Sequence, residues 1–289
     1  MTTFDPQTTF DDFIEMTAIV EHFWRHIPPN VWEMRTGTRD KDWTLWETLA
    51  HLVAIAEMFN RAIEHALTGS KRLHIDGFVH RTDLRAWNEA EIAAREYFSA
   101  NELLMLLLTA LEEAAEYAQS LTPQEANLMI AIPAYNRAFR VLDYIDFQLS
   151  HVGVIHGAQV SRPIDNQPLW RRCSPGLLQR QVDRYIRQMS AAYWPDVGGD
   201  LVAPINFYID GESGGEWHII AAPDGGSAGA GVVDDPFLTI RFAEPDVLFG
   251  VFTVHLSFTD ALTSGQMRID DDGRQAAHIL RLFSASPPK

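Results

Sequence analysis

Cysteine is almost missing from this chain: Cys173 is the only one among 289 residues. No intrachain disulfide can form, and zinc sites built on paired cysteines are excluded. Basic residues are scarce. The 23 Lys and Arg face 39 Asp and Glu, for a formal net charge of −16. Nucleic acids and anionic membrane surfaces both require clustered Lys and Arg, so neither is expected as a partner. Long apolar runs are lacking too. The most apolar one, LLMLLLTAL at 103–111, is too short to span a bilayer and is followed by Glu112 and Glu113. The first residues, MTTFDPQTTFDDF, are acidic and hold no apolar stretch, so no signal peptide is read there and the cytoplasm is the expected compartment. Common catalytic signatures are missing. There is no GxSxG, and DGGSAGAG at 224–231 lacks both the spacing and the strand-to-helix setting of a phosphate loop, so it reads as a flexible turn. DDDG at 270–273 is too short for a calcium loop.

What is present describes a globular protein of one or two domains, with 46% hydrophobic and 21% charged residues. The first 160 or so residues read as helices. Phe13, Met16, Ile19, Val20, Phe23 and Trp24 recur at steps of three and four and mark the buried face of a helix over 10–26, which Pro28 and Pro29 stop. A second helix is expected from Trp43 to Leu67, with Thr44 and Glu47 at capping-box spacing and Gly69 at its end. A short helix, WNEAEIAAREYF, precedes a long one over 99–121, where Ser99 and Glu102 repeat the capping box. A last helix covers 136–160. Four long helices imply an up-and-down bundle.

The pattern then changes. SRPIDNQPLWRRCSPG is rich in Pro and polar residues and reads as a linker. After one more helix, 177–193, APINFYIDG, EWHIIAAP and PFLTIRFA alternate as strands, EPDVLFGVF and FTDALTSG read as helices, QMRIDDDG as a strand and RQAAHILRLF as a closing helix. The expected organisation is therefore multidomain, α and α+β: a helical bundle over 1–162, a linker over 163–176, and an antiparallel sheet with helices over 177–289.

WTLWETLAHLVAIAEMF at 43–59 resembles the second-helix signature of the DinB-like four-helix bundle family. LRAWNEAEIAAREYFSANELLMLLLTALEEA is similar to its third-helix region, and HVGVIHGAQV at 151–160 to its fourth-helix ending. In the second half, INFYIDGESGGEWHIIAAPDGG, LTIRFAEPDVLFGVF and DALTSGQMRIDDDGRQAAHILRLF resemble the SCP2-like (sterol carrier) fold. This order of domains is that of proteins of the mycothiol-dependent maleylpyruvate isomerase type. The resemblance implies a divalent metal, zinc or a first-row neighbour, inside the bundle, and a low-molecular-weight thiol as cofactor. It implies a transferase or isomerase acting on a small electrophile, and pairing into homodimers. The alternative is a non-enzymatic carrier of a lipid or other apolar ligand with a metal-free bundle.

The family takes one metal ligand from the second helix and two, one turn apart, from the fourth. Such spacing puts both side chains on one face. His51 fits the first role; a buried histidine bonded to another helix is its other reading. The fourth helix departs from the pattern. Four residues before His151 stands Phe147, and four before His156 stands Val152, neither of which can coordinate. His151 and His156 are five apart, about 140° around an ideal helix. They converge only if the helix carries a π-bulge, a rare feature concentrated at functional sites. Three arrangements stand open: a bulged triad of His51, His151 and His156; two histidines completed by Asp146, Gln148 or water; or a bundle without metal. The triad is the expectation carried forward.

Other candidates carry less. His22 and His26 are one turn apart but have no third partner. His65 belongs to another layer of the second helix. His74 and His80 flank a loop at the bundle mouth. His218, His255 and His278 read as packing or surface residues, and Cys173, beside Arg171 and Arg172, as an incidental thiol. Val247, Leu248, Phe249, Val251 and Phe252 would line an apolar tunnel in a carrier, but any sheet-plus-helix core needs such residues. Arg241, Arg268 or Arg274 would reach a substrate carboxylate in an isomerase.

Overall fold

A computed structural model describes residues 5–37, 42–270 and 273–283. The chain divides between Cys173 and Ser174 into two units. No helix among the described residues is long and apolar enough to cross a membrane.

The first unit is helical. α1 (Pro6–Arg25) starts four residues earlier than the apolar periodicity suggests. Asp5 caps it, accepting hydrogen bonds from the Gln7 amide at 3.2 Å and the Thr8 hydroxyl at 2.6 Å, and Pro6 has no amide proton to leave unpaired. α2 (Leu45–Leu67) begins at the expected Thr44–Glu47 box, with both reciprocal bonds formed, at 3.1 and 2.7 Å. α3 (Leu84–Ala93) is shifted toward the N-terminus of the expected stretch. α4 (Ala100–Ser120) carries the Ser99–Glu102 box, and α5 (Pro123–Ala126) a third, from Thr122 and Glu125. α1 and α2 both pack on α4, and α2 also on α6 (Val141–Ser150). The apolar stripes meet between them: Phe13, Met16, Val20, Leu49, Val53, Leu107 and Leu111 are completely or almost completely buried.

The last bundle helix is not the single rod expected over 136–160. Residues 129–140 form a hairpin, β1 (Met129–Ala131) against β2 (Ala138–Arg140), with Ile130 opposite Phe139. α6 cannot begin earlier than Val141, because the Asp143 carboxylate accepts from the Arg140 amide at 3.1 Å and pairs with its guanidinium at 2.7 Å, holding Arg140 extended. After Ser150 the chain makes a π turn, His151–Ile155, and resumes as α7 (Gly157–Ser161). The stretch read as a linker is folded onto this unit as far as Cys173. Leu169 and Trp170 are 1% exposed in a 3-10 turn, Leu169–Arg172, and lie against Gly157. The Pro and Arg content of 161–176 hid these two anchors.

The second unit opens with α8 (Pro175–Ala191), capped by Ser174, and the short α9 (Pro195–Gly198). A five-stranded sheet follows, in the order β5-β4-β3-β6-β7. The strands are β3 (Ala203–Ile209), β4 (Gly215–Ala222), β5 (Gly225–Ala230), β6 (Leu238–Phe242) and β7 (Met267–Ile269). The sheet is mixed where an antiparallel one was expected. β3 and β6 run parallel, Ile205 beside Leu238, while the other pairs are antiparallel. Alternation within a strand reports its faces and not its neighbour's direction, so the sequence could not distinguish the two.

β5 corrects a second expectation, since DGGSAGAG is an edge strand and not a flexible turn. Its glycines have a packing reason. α8 lies over the strand so closely that a Cβ on Gly226 would overlap the Ser190 carbonyl oxygen, while one on Gly229 would meet the imidazole of its β4 neighbour His218 at 2.8 Å. α10 (Pro245–Phe252), α11 (Phe258–Thr263) and α12 (Gly273–Arg281) complete the unit. Val247, Leu248 and Phe249 are at most 2% exposed, and Phe249 packs edge-on against Tyr185 of α8. These residues form the unit's own core. Arg241 is exposed and paired with Asp270 at 3.2 Å, and Arg268 is exposed. The side chain of Arg274, and Asp271 and Asp272 of DDDG, lie outside the described residues.

Candidate metal centre

The π turn is the feature that a five-residue histidine spacing requires. The His156 amide donates to the His151 carbonyl at 3.1 Å, an i to i+5 bond, so five residues complete one turn and both rings face α2. His51, in the second turn of α2, meets them. The three ring centroids are 5.3, 4.9 and 4.6 Å apart, and the Nε2 atoms of His51 and His151 face each other at 3.3 Å. One nitrogen from each ring lies within 4.8 Å of the other two. Among the described residues, this is the group of histidine, cysteine and carboxylate side chains with the geometry to hold an ion.

The rings sit in an apolar setting. His51 is 4% exposed and His156 is 7%. Trp43 packs its ring on His51 at 4.6 Å, and Phe59 meets His151 edge-on at 6.5 Å. Burial is the main cause that pushes all three imidazoles below their ordinary range. His51 and His151 are held well below it, with His156 adding to the effect, while Asn88 opposes it slightly at His51. His156 is pushed down to about 4 by burial, against a smaller opposing hydrogen bond that its Nδ1 donates to Gln159. Three neutral rings are three lone-pair donors, the state that coordination requires.

The other ligands considered from the sequence are not in the cluster. Gln148 donates to Asn60 Oδ1 at 2.7 Å, and Asn60 in turn donates to the Ala110 carbonyl and to Glu113, each at 2.8 Å. Asp146 is buried elsewhere on α6. His22 and His26 are exposed, with the His26 ring bonded to the His22 carbonyl at 2.6 Å. The residue that spacing alone did not single out is Gln159. Its Oε1 lies 2.6 Å from His156 Nδ1, so that nitrogen carries the proton and Nε2 is left as the bare lone-pair donor. Three residues after His156, Gln159 lies one helical turn on and so on the same face.

Two predictions arise here. In Gln159→Ala the His156 ring loses its anchor, and affinity for zinc is expected to fall roughly 10- to 100-fold with the fold unchanged, as read by competition with a chromophoric chelator. A drop of less than twofold would remove Gln159 from the site. The second concerns acid. An unfolded chain protonates these imidazoles near pH 6.5, whereas the folded protein does not, so the unfolded state binds more protons below that pH. Stability of the metal-free protein is therefore complete above pH 6.5 and declines as pH falls toward 4. His156 alone contributes a loss of roughly 2 kcal/mol by pH 5. Urea midpoints at pH 7.5 and pH 5 measure it, and equal midpoints would contradict the neutral, buried assignment.

The site and the fold together describe a helical bundle in which three histidines converge, followed by an α+β unit. Neither a family model nor a curated protein matches the sequence. Among solved structures, the chain is similar to the mycothiol-dependent maleylpyruvate isomerase, with a TM-score of 0.54 and 10% identity over 86% of this chain and 90% of that one. A variant of that enzyme with one histidine replaced by alanine gives a TM-score of 0.55 at 9% identity, with the same coverage. At such identity the likeness establishes a shared fold.

Proposed function

We propose that this protein is a metal-dependent enzyme that uses a small thiol to isomerise, or transfer that thiol to, an electrophilic small molecule. The observation that carries the reading is the convergence of His51, His151 and His156 through the π turn. The donor set fits a divalent first-row ion: three neutral imidazoles, one with its second nitrogen fixed by Gln159, in an apolar enclosure. A bound ion would supply Lewis acidity, lowering the pKa of a coordinated thiol or water. The chain's own part is positional. His51 would hold the ion from α2 and His151 and His156 from the π turn, while Trp43 and Phe59 pack against the rings. The shared fold with a mycothiol-dependent isomerase supports a thiol as the group presented there. The second unit is read as SCP2-like, which is supported by its order of short helix, turn, strand and terminal helix from α11 to α12.

The test is turnover. Zinc-loaded protein is expected to isomerise maleylpyruvate when mycothiol is present, at a rate at least about a hundredfold above the metal-free protein. The same small molecule without thiol should not react. Full activity without thiol, or none with any thiol after verified metal loading, would overturn the reading.

A further inference from the structure

A second concavity is lined by none of the three histidines. A loop follows α2 after Leu67, and its Phe78 stacks on Trp87 of α3. This loop, 70–80, the turn Arg81–Asp83 and the hairpin β1–β2 enclose a cleft of about 400 Å3. That is within the range of small-molecule sites, roughly 300–1,000 Å3. Its walls are tied together by backbone: the Leu73 amide donates to the Ala131 carbonyl and the Ala131 amide to the Lys71 carbonyl, both at 2.9 Å.

The lining is cationic in an acidic protein. Arg72, Arg81 and Arg137 line the cleft with His74 and His80, and no Asp or Glu is among the lining residues. The chain has 39 carboxylates against 23 Lys and Arg, so a wall with three guanidiniums and no acid departs from its background. The adjacent Asp83 is turned to the backbone, accepting from the amides of Val79 at 3.2 Å and His80 at 2.9 Å. Arg81 is only 6% exposed. Burial lowers its pKa to about 10, with the Tyr135 phenol opposing this, so it is still a cation at neutral pH. Below the cations the floor is apolar: Leu73, Ile132 and Phe78 are buried, and Phe78 stacks on Trp87 at 5.2 Å. The Arg137 guanidinium lies over the Phe139 ring at 4.7 Å.

We propose that this cleft binds a small organic oxyanion, a carboxylate or phosphate carried on an apolar or aromatic body. Guanidinium groups recognise both oxyanions through paired N–H donors, and the apolar floor takes the body. None of the three histidines lines the cleft, and the proposal does not depend on the reading given for them.

Calorimetric titration of the full chain at low salt tests it, with phenyl phosphate and benzoate as probes and benzamide as the neutral control. One of the two anions is expected to bind with Kd below about 1 mM, at least tenfold tighter than benzamide. The tighter of the two identifies the oxyanion class. Arg81→Met should weaken binding at least tenfold, and His51→Ala should leave it unchanged. Should Arg81→Met fail to fold, the double variant Arg72→Ala/Arg137→Ala, at two exposed positions, carries the test with the same expected loss. Binding of neither anion, equal binding of benzamide, or undiminished affinity in the double variant would overturn the proposal.

Discussion

His51→Ala protein, purified without a histidine tag and then loaded with zinc, is expected to retain less than about a tenth of the metal that the parent retains after dialysis. The reason is geometric. The two remaining histidines lie on one π turn and reach an ion from one side, while His51 is the donor from α2. Loss of a supporting residue around a metal commonly costs 10- to 100-fold in affinity, and loss of a direct ligand exceeds that. Elemental analysis of dialysed protein reads the result. The variant also leaves a small void at a position 4% exposed, so circular dichroism and the thermal midpoint of the metal-free form must accompany it. Equal metal in both proteins would show that the ion sits elsewhere. The comparison with Gln159→Ala orders the two roles, since removal of a ligand must cost more than removal of its orienting partner.

The second large effect is one of stability. Gly226→Ala is expected to destabilise the second unit by about 3 kcal/mol, above the ordinary range for a surface strand, because the added methyl would overlap a backbone oxygen. The Ser190 carbonyl belongs to α8, and the β-carbon of Tyr193 stands 3.0 Å from the same point. Neither can swing aside as a flexible side chain would, so the helix must lift from β5. For a unit of this size the midpoint should fall by on the order of 10 °C. Gly231→Ala is the control. Gly231 has φ +78 and nothing within 4 Å of the added carbon, so only the left-handed backbone penalty of about 1 kcal/mol applies. Equal shifts in the two variants would mean that α8 does not rest on β5 as closely as described.

How much of this was legible beforehand follows the range of the interactions. The Thr44–Glu47 and Ser99–Glu102 boxes were read correctly because each is closed by hydrogen bonds three residues apart. The strands β3, β4 and β6 were read from alternation, which burial of one face imposes residue by residue. The hairpin over 129–140 was missed because its strands are only three residues each, too short to show alternation, and Ile130 finds Phe139 only across a turn. β5 was missed for the opposite reason. Its sequence has almost no side chains to form a pattern, and Gly226 answers to a helix more than thirty residues upstream. The cationic cleft was glimpsed only as two loop histidines, since Arg72, Arg81 and Arg137 come together through the pairing of the loop with β1.

The candidate site divides along the same line. Sequence alone determined that His51, His151 and His156 are the histidines to consider, and that a regular helix would aim two of them about 140° apart. Tertiary structure decided that they meet. A π turn is locally less favourable than an α turn, so no property of residues 151–156 by themselves selects it. It is chosen where the bundle buries both rings against α2, the His156 amide still finds the His151 carbonyl, and Leu169 and Trp170 seat the chain that follows. Packing outside the helix compensates what the helix loses, and that balance is a property of the whole unit.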